Sequence, residues 1–374
     1  MNDHPVILVP GLLGWGPDEL FGLPYWGVAQ KLNTTLRKFV AMLGPVSSSH
    51  DRACELAYQI KGGRVDFGSA HARTEGHSQF GRTYSTPFHP QWSESNPVHL
   101  VGHSMGAPTI WLLQHLLASD FFGWGSNANW VKSLTSISGV LNGSTATYFF
   151  GADERTGLLH DFSIGHFLSS AIELQVRVAG DLFDRLYDFQ LDQWGIDSGQ
   201  PLDRLMAQLA RSPMFRGRDH GAYSLTIQAL LEQNAVCRTN PDTFYFSYAT
   251  EQTAEGLFGG YHHPEFWMNP FLFPTAFYMG RASYAHPFYP EFRASDWWHN
   301  DGLVSVYSQL YPRISGNHPV GGPISDLSST SPGRWYHEIV EHTDHGDIVL
   351  FPEPDQIKPQ RRFYRRLFDR LSEL

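Results

Sequence analysis

The chain has 374 residues, 41% hydrophobic and only 17% charged, with a net charge of −10. That length and apolar content suit one large catalytic domain with insertions or two domains, with ample side chain to fill a core. No basic stripe marks a nucleic-acid surface, no apolar run reaches membrane-spanning length, and two cysteines, Cys54 and Cys237, make no disulfide framework and read as buried thiols.

Val6-Ile7-Leu8-Val9 predicts a short buried strand ended by Pro10-Gly11. Phe39 to Leu43 predicts a second strand, and a helical stretch follows over Asp51 to Ile60. The run Val98 to Val101 predicts a third strand, followed by a helix over Thr109 to Leu117. Leu134 to Ser138 and Phe244 to Tyr248 give a fourth and a fifth. Strands alternating with helices predict a mostly parallel sheet with helices on both faces. Two stretches break the rhythm: a Gly- and His-rich insertion over 62–84 and a longer one over about 143–240. In the longer one, Ile164, Phe167, Leu168, Ala171, Ile172, Val178, Ala179, Leu182, Phe183 and Leu186 recur at near-helical spacing. Such a stripe is either an ordinary core helix or a lid whose apolar face covers a lipid site. Arg361 to Leu374 predicts a surface amphipathic helix with a solvated basic face. The start, Met1-Asn2-Asp3-His4-Pro5, has neither the basic nor the apolar segment of a secretory signal, so a cytoplasmic protein and a mature secreted one both fit.

Gly102-His103-Ser104-Met105-Gly106 lies between the third strand and its helix. G-x-S-x-G alone is a weak pattern, and a Gly-rich turn with an idle serine would also satisfy it. Between a strand and a helix it marks a strained turn that exposes a nucleophilic hydroxyl. A serine nucleophile needs a base, and the base needs a carboxylate to orient it. Asn300-Asp301-Gly302 offers the acid, and Glu341-His342-Thr343-Asp344-His345, after the strand-like run Trp335 to Val340, offers the base. The order Ser104, Asp301, His345 is available, with His342 and Asp344 as rivals. Oxyanion donors are expected from the backbone N–H of Met105 and, in the loop Pro10 to Gly16, of Leu12. His71 and His77 flank a Gly-containing turn beyond Asp51, a plausible beginning of a zinc set although the spacing is no strong motif.

These stretches resemble the true lipases of the thermophilic Bacillus type and their staphylococcal relatives. The likeness is carried by Gly14-Trp15-Gly16, Tyr25-Trp26-Gly27, Gly44 to Ser48, Asp51 to Glu55, Gly62 to His71, Gly76-His77, Phe80 to Tyr84, Tyr187 to Gly195 and Asn300-Asp301-Gly302. The resemblance implies an α/β-hydrolase fold in one domain, with a zinc-bearing insertion and a helical lid. It implies Ser104 as nucleophile, Asp301 as triad acid and His345 as triad base, against His342, with Leu12 and Met105 as oxyanion donors. It implies a structural zinc held by Asp51, His71, His77 and Asp192. The expected activity is hydrolysis of lipid esters at a lipid–water interface, and the expected location is extracellular. Calcium is left open: Asp347 sits where a ligating acid is expected, but Phe351-Pro352-Glu353-Pro354-Asp355 replaces the following Asp-Pro pair. Further departures are Pro10 for the usual histidine, Leu12 for an aromatic, Ala107 for the second glycine after the nucleophile, and His50 for an aromatic before Asp51. The alternatives are an esterase of short or polymeric esters without a working lid, a non-catalytic lipid-binding protein on the same scaffold, and a zinc hydrolase, which would need an open metal position.

Overall fold

Val6–Val9 has no polar side to turn to water, and it forms a strand buried on both faces (β1). The computed structural model describes residues 2–160, 187–197, 199–256, 260–286, 288–324, 329–350 and 356–374. The apolar stripe from Ile164 to Leu186 and the segment 351–355 lie outside the described residues.

Among the described residues, six further strands join β1: β2 (Lys38–Val40), β3 (Val98–His103), β4 (Val131–Ile137), β5 (Phe244–Glu251), β6 (Val320–Pro323) and β7 (Trp335–Glu341). They lie in the order β6-β7-β5-β4-β3-β1-β2, and every neighbouring pair is parallel. This is the mostly parallel sheet read from the sequence, and it has the α/β-hydrolase architecture. Side chains alternate across it with period two. Val6 and Leu8 pack on one face with Phe246, Phe363, Tyr364 and Leu371, while Ile7 and Val9 pack on the other with Leu56, Ile60, Ile110 and Leu113. Burying each such side chain stabilises the fold by about 1.5–3 kcal/mol.

Among the described residues, long helices on the sheet faces include α1 (Ser49–Lys61), α2 (Gly106–Ala118) and α3 (Ile357–Glu373). Ser48 starts α1 by accepting a hydrogen bond from the Asp51 N–H at 3.2 Å. The amphipathic helix expected at the end of the chain is α3. Its arginines Arg361, Arg362, Arg365 and Arg366 are exposed, and its buried stripe completes one face of the core. The insertion over 62–84 is an antiparallel hairpin, Gly63–Asp66 against Phe80–Tyr84, with a short helix, Ser69–Glu75, in its loop. Among the described residues, no helix is long and apolar enough to cross a membrane. Both cysteines are free and buried.

The register Val9↔Gly102 sets the carboxyl end of β1 beside that of β3. The loop Pro10 to Gly16 therefore meets the turn that carries Ser104, at the edge of the sheet where parallel α/β folds place their ligands.

Candidate active site and metal centre

β3 ends at His103, α2 begins at Gly106, and between them Ser104 holds a left-handed backbone with φ of 54°. A serine there costs roughly 1–3 kcal/mol, offset by the surrounding structure. The Ser104 N–H donates to the Ile137 carbonyl at 3.0 Å, and the Ser104 carbonyl accepts from the amides of Ala107 and Val140 at 3.1 and 3.3 Å. The turn has no room for side chains at its flanks. A Cβ at Gly106 would lie 2.2 Å from the Val9 carbonyl oxygen, and one at Gly102 would lie 2.4 Å from the Gly106 carbonyl carbon. Across the turn, a Cβ at Gly11 would stand 2.8 Å from the Ser104 Cβ, so the two loops are in direct contact. Among the described residues, no protein acceptor meets the backbone N–H of Leu12 or of Met105.

The loop after β7 brings His345 to Asp301, with Nδ1 2.8 Å from Oδ2. The Asp301 carboxylate is fully buried and well satisfied. Its Oδ1 accepts the amides of Leu303 and Val304 at 3.0 and 2.8 Å, while Oδ2 also accepts Thr250 Oγ1 at 2.8 Å and Gln309 Nε2 at 3.2 Å. The His345 N–H donates to the Asp301 carbonyl at 3.0 Å. The two rivals lie elsewhere. His342 is on the surface, paired with Glu265 at 2.8 Å. Asp344 accepts the amides of Gly346, Asp347 and Asn269, and burial raises its pKa above the ordinary value. It shapes the loop that presents His345. Asp347 lies in the same loop, its carboxylate accepting the Asp344 N–H at 3.3 Å.

A buried chain of hydrogen bonds spans the two loops and the histidine. The Gly11 N–H donates to the Tyr25 hydroxyl at 2.9 Å, so that hydroxyl gives its own proton to His103 Nδ1 at 2.7 Å. His103 Nε2–H then donates to the His345 carbonyl at 3.1 Å. Arg52, fully buried in α1, donates to the carbonyls of Pro10 at 2.5 Å and Gly44 at 2.9 Å and so pins the loop that holds Leu12. Sequence reasoning assigned no role to Arg52, Thr250 or Gln309, because each acts through a contact that only the fold brings together.

A second group of side chains gathers at the start of α1. Asp51, His71, His77 and Asp219 bring one donor atom each within 4.8 Å of the others. His71 Nε2 lies 3.2 Å from Asp51 Oδ1 and 3.3 Å from Asp219 Oδ1, and His77 Nε2 lies 3.9 Å from Asp51 Oδ1 and 3.2 Å from Asp219 Oδ2. The edge of a tetrahedron with zinc-length arms is about 3.3 Å. Asp51 Oδ1, His71 Nε2, His77 Nε2 and Asp219 Oδ2 are buried without a directed hydrogen bond, which suits a cation between them. Outer partners fix the rings and carboxylates: His77 Nδ1 donates to the Ser78 carbonyl at 2.8 Å, and Gln193 Nε2 donates to Asp51 Oδ2 at 2.8 Å.

The fourth member is therefore Asp219, and the expected Asp192 is corrected. Arg82 already neutralises Asp192, with Nε 2.7 Å from its carboxylate, and the Asp192 side chain is half exposed. Its neighbour Gln193 is what reaches the group. Asp219 arrives through a backbone bridge between Ser47 and His220, with the Gly221 N–H donating to the Val46 carbonyl at 2.7 Å.

Residues 2–371 match the family described as lipase-like, C-terminal domain. The chain belongs to that family. It is 30% identical over 377 residues to Lipase 2 of Staphylococcus aureus, covering 93% of this chain and 50% of that protein. Lipase 1 of the same species is 29% identical, over 99% of this chain and 54% of its own length. The chain thus spans about half the length of these curated relatives. Among solved structures, EstA of Clostridium botulinum superposes with a TM-score of 0.86 at 32% identity, covering all of this chain and 88% of that one. Lipase 1 of Pelosinus fermentans gives 0.80 at 29% identity over the full length of both chains, and Staphylococcus hyicus lipase gives 0.77 at 27% identity over 100% and 96%.

Two of this member's departures have a visible accommodation. The ring of His50 stacks on that of His71, with centroids 3.9 Å apart at 29°, and so does the packing of an aromatic. Leu12 fills the space over Gly221, where a Cβ would lie 2.4 Å from Leu12 Cδ1. Leu12 and Leu303 pack against a buried apolar cluster of Met105, Val140, Leu225 and Val304.

Proposed function

We propose that this chain is a serine hydrolase of lipid esters that works through a covalent acyl-enzyme. The observation that carries the reading is Ser104, held left-handed at a strand-to-helix turn, in a site whose histidine His345 is hydrogen-bonded to the buried Asp301.

His345 takes the Ser104 hydroxyl proton as the serine oxygen attacks the ester carbonyl. Asp301 orients the ring through Nδ1–H and stabilises the imidazolium. The free amides of Leu12 and Met105 receive the oxyanion, and each such donor typically lowers the barrier by about 3 kcal/mol. Collapse of the tetrahedral adduct breaks the bond to the alcohol, which leaves with the proton from His345. Water then attacks the acyl-enzyme with His345 again as base, releasing the acid and restoring Ser104.

An apolar acyl chain fits the cluster of Met105, Val140, Leu225 and Val304 beside the serine turn. A lipid surface fits the exposed aromatics Phe266, Trp267 and Phe271, whose segment is tied to the His345 loop by the Asn269 N–H bond to Asp344. Asp51, His71, His77 and Asp219 would hold zinc. With four protein donors around it, that ion would supply a cross-link between the hairpin insertion and α1 and not a nucleophile.

Turnover of p-nitrophenyl esters and triacylglycerol emulsions of rising chain length, compared between wild type and Ser104→Ala, tests the proposal. The expected result is serine-dependent hydrolysis that persists on long-chain emulsions. Confinement to short dissolved esters would make it an esterase on this frame, and near-wild-type turnover by Ser104→Ala would overturn the assignment.

A further inference from the structure

Three donors of another set converge beside the acid loop. Glu251 closes β5, and His262 lies in a small antiparallel hairpin, Thr253–Glu255 against His262–Pro264. His299 stands just before Asn300-Asp301. One donor atom from each of Glu251, His262 and His299 lies within 4.8 Å of the others. His299 Nδ1 meets Glu251 Oε1, and the rings of His262 and His299 stand 3.7 Å apart at 44°. His262 is only 5% exposed, yet its Nδ1 finds no hydrogen-bond partner. Its backbone is fixed, because the His262 N–H donates to the Gly280 carbonyl at 2.9 Å, and a Cβ at Gly280 would strike the His262 carbonyl oxygen at 2.2 Å. Glu255 is the cross-strand partner of His262, so both side chains leave the hairpin on one face, where the Glu255 carboxylate adds negative charge.

Ester hydrolysis uses none of these side chains, and they share no member with the Asp51 group. Two imidazoles and a carboxylate select a borderline transition cation over calcium or magnesium, which prefer all-oxygen sites. We propose that Glu251, His262 and His299 form a second divalent-metal site, suited to zinc, with a fourth position left to water on the half-exposed His299 side.

An ion there would fasten the hairpin and the end of β5 to the chain entering Asp301. The protein already joins these segments weakly: the Gln252 N–H donates to the Asn300 carbonyl at 3.2 Å, and the Asn300 N–H donates to Thr253 Oγ1 at 3.1 Å. The site is independent of the catalytic assignment and stands or falls on metal content alone.

The test is equilibrium dialysis of the untagged chain against micromolar zinc, followed by elemental analysis, for wild type, His299→Ala and Glu251→Gln. The side chains of His299 and Glu251 are 52% and 17% exposed, so both variants keep the core intact. The expected result is one zinc fewer per chain in each variant than in wild type, whatever the Asp51 group retains. Equal zinc content in all three proteins, or a difference seen only at millimolar zinc, overturns the proposal.

Discussion

His103 Nε2 lies 3.1 Å from the backbone carbonyl oxygen of His345, so the residue before the serine holds in place the residue that carries the base. Burial, and then the nearby His345, keep the His103 pKa well below the ordinary histidine value, so its ring is neutral and donates through Nε2 only. Tyr25 fixes this tautomer from the other side.

Tyr25→Phe removes the one group that serves both the Gly11 N–H and His103 Nδ1. Leaving two buried polar groups unmatched should cost about 1–3 kcal/mol of stability each. The oxyanion loop and the His345 carbonyl should loosen together. The expected kinetic effect is a fall of about tenfold in kcat, or roughly 1.4 kcal/mol of barrier, with KM little changed. Steady-state kinetics beside urea denaturation would read both, and a change in stability without one in kcat would confine Tyr25 to packing.

His345→Ala and His342→Ala should differ sharply. Loss of the base should lower kcat by about 10⁴-fold or more. His342 forms an exposed pair with Glu265, and such pairs contribute about 0–1 kcal/mol. Its removal should leave turnover near wild type, and a large loss there would reopen the choice of base.

Metal content should separate two aspartates. Asp219→Asn takes a charged donor from a buried group and should lower retained zinc and the thermal midpoint. Asp192→Asn removes only one of the two carboxylates paired with Arg82 and should leave zinc in place. Metal loss from Asp192→Asn and not from Asp219→Asn would reverse the assignment.

Acid should unfold the protein in part through His99. Its ring is fully buried, between Ser133 Oγ at 2.8 Å and Asn2 Oδ1 at 3.1 Å, and burial lowers its pKa from 6.5 to about 3. Below pH 6.5 the unfolded chain binds a proton that the fold refuses. The stabilisation is complete above pH 6.5 and falls by about 1.4 kcal/mol per pH unit toward about pH 3. Urea midpoints between pH 7 and 4 should fall less steeply in His99→Gln than in wild type, and parallel slopes would remove His99 as a cause.

Much of the fold is legible because parallel strands buried on both faces are short apolar runs, as at Val6–Val9 and Val98–Val101. The edge strand Val320–Pro323 escapes because Val-Gly-Gly-Pro has neither alternation nor β-branched enrichment beyond one residue. The serine turn is legible because backbone geometry dictates its glycines locally. Asp219 is not, because nothing near it in sequence distinguishes it from Asp192. What selects it is the pairing of His220 with Ser47, a register set by tertiary packing. Arg82 hides the same distinction from the other side: whether an aspartate is free to bind a cation depends on whether the protein has already supplied one.

Asp51 and Asp219 are far apart in the chain, and an ion held between them would act as a reversible fastener around nearly half of it. An unfolded chain lacks the assembled cage, so with such an ion the folding equilibrium would draw on the solution as well as on the sequence. With free zinc well above the dissociation constant, each tenfold rise adds about 1.4 kcal/mol to the folded side. The same polypeptide would then have one melting temperature in a zinc-poor medium and a higher one in a zinc-rich medium, making its durability a reading of its surroundings.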